Sequence, residues 1–86
     1  MASFKIEFAK GIRKDFRGIP KIDADRILRK IESLSKDPRP SDSKKLTNDD
    51  SYRVRIGNYR VIYDIKDQIL VVLVLKLGHR KDVYRR

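Results

Sequence analysis

SYRVRIGNYRVIY, residues 51–63, alternates apolar and basic side chains on either side of a Gly-Asn dipeptide. Alternation with a period of two marks a strand with one buried face, and Gly-Asn between two such runs fits a two-residue hairpin turn. Closing the hairpin at Gly57 and Asn58 sets Ile56 opposite Tyr59, Arg55 opposite Arg60, Val54 opposite Val61, and Arg53 opposite Ile62. Cross-strand partners share a face. Tyr52, Val54, Ile56, Tyr59, Val61 and Tyr63 therefore fall on one side, and Arg53, Arg55 and Arg60 on the other. Like charges set directly opposite one another destabilise a sheet. The arginine side thus reads as a surface built for a polyanion, since planar guanidinium donors match phosphate oxygens in bidentate fashion and stay charged at any relevant pH.

Working outward from the hairpin, the next segment, ILVVLVLKL (residues 69–77), is a nearly continuous apolar run, expected of a central strand covered on both faces. A tight connection at Lys66 to Gln68 joins it to the hairpin, and Gly78 ends it. Toward the N-terminus, Phe4, Ile6 and Phe8 alternate with Lys5 and Glu7 as a first strand. A short helix carries Ile12 and Phe16 and breaks near Gly18. Pro20 suits the start of a second helix, in which Ile27, Leu28, Ile31 and Leu34 recur at helical spacing. The prolines of KDPRPSDS (residues 36–43) stop that helix, and residues 37–50 read as a polar loop with Leu46 turned back onto the core. The fold class expected is α+β: an N-terminal strand, two helices, then a three-stranded antiparallel meander completing one sheet, in a single domain spanning residues 1–86.

Composition narrows the partners. The 86 residues hold 22 Lys and Arg against 12 Asp and Glu, a formal charge of +10. So basic a small domain favours nucleic acid, an anionic membrane or an acidic protein. A membrane role is disfavoured because the basic residues cluster on a hairpin and not on an amphipathic helix. The chain has no cysteine and one histidine, which argues against a disulfide framework, thiolate chemistry and a zinc site. No cofactor or metal is expected. Without a signal-like apolar N-terminus or a run of transmembrane length, the expected location is the cytoplasm. Tyr52, Tyr59, Tyr63 and Tyr84 offer stacking surfaces for bases, with two or three of them serving the core instead.

The basic hairpin, the Lys45-Leu46 pair before it, the apolar strand after it and the closing GHRKDVYR (residues 78–85) together resemble the RelE family, toxins of type II toxin–antitoxin systems within the wider RelE/ParE superfamily. The resemblance covers essentially the whole chain. It implies a fold like that of small microbial ribonucleases and an enzyme that enters the ribosomal A site and cuts messenger RNA. It also implies three partners: the messenger RNA, the ribosome and a cognate RelB-like antitoxin, acidic and partly disordered, that folds on the toxin. The catalytic set carried over is Arg53, Arg55, Arg60, Arg80 and Tyr84, with Tyr84 stacking on a message base. Lys45 and Arg85 join them in the RNA-binding set.

One departure matters. Well-studied members have lysines where Arg53 and Arg55 stand, and an arginine is a poor proton acceptor. His79 becomes the natural general base, with Tyr84 second. The expected reaction needs no metal: the RNA 2′-hydroxyl attacks its own phosphorus while fixed cations stabilise the transition state. The rivals are a ParE-like gyrase-inhibiting toxin without nuclease activity, and a non-enzymatic RNA- or ribosome-binding module.

Overall fold

The computed structural model describes residues 3–46 and 51–79. In chain order the elements are β1 (Lys5–Phe8), α1 (Ile12–Arg17), α2 (Lys21–Ser33), β2 (Lys44–Lys45), β3 (Tyr52–Ile56), β4 (Tyr59–Lys66), a short 3-10 turn (Asp67–Ile69) and β5 (Val71–His79). The strands form one sheet in the order β1-β5-β4-β3-β2. β1 runs parallel to β5, and the other neighbours are antiparallel. The α+β architecture follows the sequence reading, with one added strand. β2 lies inside the segment expected to be loop, because two lysines carry no apolar pattern and become a strand only by pairing with β3.

Both helices pack on one face of the sheet. Ile12 of α1 and Ile27, Ile31 and Leu34 of α2 meet Val54, Val61, Tyr63, Val72, Val74 and Leu77 in a single core. Ile27, Ile31 and Leu34 are at most 1% exposed, whereas Leu28 is 39% exposed and lies at the margin of that stripe. Pro20 precedes α2 with φ −54°, a value its ring imposes and the helix can use.

The hairpin closes in the expected register, Arg55 opposite Arg60 and Val54 opposite Val61. Gly57 has φ +58° while Asn58 stays at negative φ, the pattern of a type II′ turn with glycine first. β5 departs from expectation twice. Ile69 and Leu70 fall outside the strand and are 70% and 38% exposed. The strand also carries a bulge: Ile62 pairs with Lys76 but Tyr63 pairs with Val74, so Leu75 is extra. The bulge reverses the alternation, letting Val72, Val74 and Leu77 all point into the core. Val71, Leu73 and Leu75 are half-buried on the other side, so β5 is fully buried on one face only.

A polar clasp ties the loop after α2 to the sheet. The Tyr63 hydroxyl, fully buried, donates to the Pro38 carbonyl at 2.8 Å. Burial pushes its phenol up to about 12, so it stays a donor at neutral pH. Arg39 makes a bidentate pair with Asp67 at 2.7 and 3.2 Å and donates to the Tyr52 hydroxyl at 3.2 Å. Its hydrogen bonds hold the Asp67 carboxyl below the usual carboxylate range. The stability this pair adds is therefore present at neutral pH and lost as pH falls through the lowered value.

Candidate functional site

The site is built from register. On the sheet face opposite the helices, Arg55 and Arg60 sit across from each other at the hairpin end, with Gly78 of β5 next to Arg60. One row further along, Lys44, Arg53, Ile62 and Lys76 follow one another across four strands. Adjacent strands lie about 4.8 Å apart and alternate residues about 6.6 Å, so this patch spans two or three phosphates of a bent chain. A further row holds Asp64, which accepts a hydrogen bond from Ser51 Oγ at 2.6 Å and lies 3.7 Å from the Lys66 ammonium. Arg53 and Arg60 are half-buried and Arg55 is exposed, so their charges approach from a partly desolvated sheet surface.

The structure therefore brings together Arg53, Arg55 and Arg60 as the hairpin pattern implied. It does not bring His79 to them. His79 pairs with Tyr59, on the helix side, and its ring meets the Tyr59 ring edge-on at 5.9 Å and 77°. The same register corrects Lys45, which pairs with Tyr52 and turns to the helix side, while Lys44 takes the place beside Arg53. Sequence reasoning missed Lys44 and Lys76, both on the arginine face. The β5 bulge governs Lys76, and no periodicity in so apolar a run reveals a bulge. Tyr63 lies in the core, and Tyr52 and Tyr59 pack against it, so these three do not serve as base platforms. Arg80, Tyr84 and Arg85 lie outside the described residues. Among the described residues no three His, Cys, Asp or Glu side chains are grouped to hold a metal ion.

What this face can do chemically is bind and neutralise a chain of phosphates. Two guanidinium groups side by side cannot satisfy each other, but both can donate to one phosphate.

Comparison with known proteins places this geometry. The family model of the ParE toxin of the type II toxin–antitoxin system, parDE, matches residues 6–84. The chain belongs to this toxin family, and its relatives put it on the RelE side of it. It is 31% identical to RelE1 of Methanocaldococcus jannaschii, over 95% of this chain and 96% of that one. It is 29% identical to toxin RelG of Mycobacterium tuberculosis, over 96% and 98% of the two chains. It superposes on RelE in the archaeal RelE–RelB complex of Pyrococcus horikoshii with a TM-score of 0.81 and 34% identity, covering 92% of this chain and 97% of that one.

Proposed function

We propose that this toxin is a ribosome-dependent endoribonuclease that cuts messenger RNA in the A site, acting in the cytoplasm to stop translation. The observation that carries the reading is the opposed Arg55–Arg60 pair with Arg53 in the next row, three cations on the sheet face opposite the helices. In the proposed reaction Tyr84 or a group of the ribosome takes the proton of the 2′-hydroxyl, the 2′ oxygen attacks the adjacent phosphorus to close a 2′,3′-cyclic phosphate, and the bond to the 5′ oxygen breaks as that oxygen takes up a proton. The arginines stabilise the dianionic transition state, each lost donor costing about 2.7–4 kcal/mol of barrier by analogy with oxyanion donors. Arg80 and Tyr84 complete the set on the strength of the family resemblance.

The test is primer extension on messages translated with purified toxin, in excess EDTA, on ribosomes kept intact by polyamines. Cuts within codons that leave a 2′,3′-cyclic or 3′-phosphate are expected. A 3′-hydroxyl end would rule out attack by the 2′-hydroxyl. The family model's ParE description gives the rival its footing, and a supercoiling assay separates the two: inhibited gyrase with intact message would establish the gyrase-directed reading.

The placement of His79 changes what is expected of it. Its place on the helix side, edge-on to Tyr59, favours a role at the strand end over one at the scissile phosphate. His79→Gln should then cleave within a few-fold of the parent. A loss of 10²–10⁴-fold would restore it as the general base.

The second partner proposed is an acidic antitoxin of the RelB kind. The RelE–RelB complex of Pyrococcus horikoshii supports it. So does an apolar hollow of about 270 Å³ lined by Phe8, Ile12, Phe16 and Leu28 and edged by Arg13, on a chain of charge +10.

A further inference from the structure

Among the described residues β2 pairs only with Tyr52 and Arg53, which leaves the far end of β3 as an open sheet edge among those residues. Beyond that edge a groove of about 490 Å³ separates β3 from the C-terminal half of α2. Arg26, Arg29, Lys30 and Ser33 line one wall, at spacings of three and four that put them on one helical face. Arg55, Ile56 and Gly57 line the other, and Asp42 closes the end. Four cations thus face one carboxylate. That carboxylate is already committed to Lys30, at 2.7 Å, which holds Asp42 below its ordinary range. Arg26 has only Asp23, at 4.0 Å, and Arg29 makes no ion pair among the described residues. Among the described residues Ile56 is the single apolar side chain in the lining, so this lining offers little to an amphipathic helix.

We infer that this groove is a second anion site that receives the backbone of an RNA strand leaving the arginine face over the open edge of β3. The inference rests on the RNA reading proposed above. Arg55 is the joint, since it belongs both to the pair with Arg60 and to the groove wall. Guanidinium groups at the spacing of one helical turn suit successive phosphates, and the described lining holds no aromatic platform for a base, so phosphate contacts dominate binding here.

The experiment uses the full chain and two RNAs, of about 4 and about 16 nucleotides, the shorter filling the sheet face alone. Arg26→Gln/Arg29→Gln removes two cations and keeps good helix formers. It should weaken binding of the longer RNA by on the order of 25-fold at 0.1 M salt and flatten the log–log salt slope by about 1.4, at about 0.7 per phosphate contact. Binding of the shorter RNA should not change. Arg26→Lys/Arg29→Lys, which keeps both charges, should restore the slope and so exclude a folding defect. An unchanged slope in the glutamine variant overturns the groove site and leaves the arginine face intact. Weaker binding of poly-glutamate with unchanged RNA binding also overturns it, in favour of an acidic protein segment. Failure of the parent chain to bind either RNA removes both the groove and the reading on which it rests.

Discussion

Arg60→Ala is expected to abolish message cleavage while leaving the chain folded. Arg60 is half-buried on β4, directly opposite Arg55, and the two guanidinium groups repel across the ladder. Removing a transition-state donor slows the chemical step by on the order of 10²–10³-fold. Loss of cleavage in a chain that still unfolds cooperatively separates a functional arginine from a structural one. Cleavage by primer extension and thermal unfolding on the same preparation check it. Parent-like cleavage by Arg60→Ala, or loss of the cooperative unfolding transition, would sink the assignment. Arg55→Ala should behave alike in cleavage and should also weaken binding of the longer RNA, because it lines the groove as well.

Ile31→Ala should do the reverse, destabilising the chain without touching the chemistry. Ile31 is 1% exposed in the layer between α2 and the sheet. Truncating a fully buried isoleucine to alanine costs about 2–5 kcal/mol, the spread reflecting how far the site collapses. Domains of this size hold about 5–15 kcal/mol in total, and each kcal/mol shifts the midpoint by about 4–8 °C. A fall of at least about 8 °C is expected. Measured in the Arg60→Ala background, it is free of toxicity during expression. A fall of under 3 °C would mean that this layer does not anchor the helix as its burial implies.

The arginine face was legible because a hairpin with a two-residue turn leaves no freedom in register: Gly57 and Asn58 fix which residues oppose, and period two fixes the face. The core stripe of α2 was legible for a similar reason, since Ile27, Ile31 and Leu34 repeat with the helix. Leu28 fits the same spacing yet lies 39% exposed, because where the stripe ends depends on how the helix is rolled against the sheet.

Local patterning by itself determined the helices, the hairpin and the three-arginine surface, all products of interactions between residues close in sequence. Tertiary structure decided what sequence spacing could not. Pairing with β3 turned Lys44 and Lys45 into a strand and put Lys44, not Lys45, beside Arg53. The extra residue at Leu75 set the faces of the last part of β5, sending Lys76 to the arginines and His79 to Tyr59. In a run as uniformly apolar as residues 69–75, every register buries much the same surface, so only the fit against β4 and the helices could choose one.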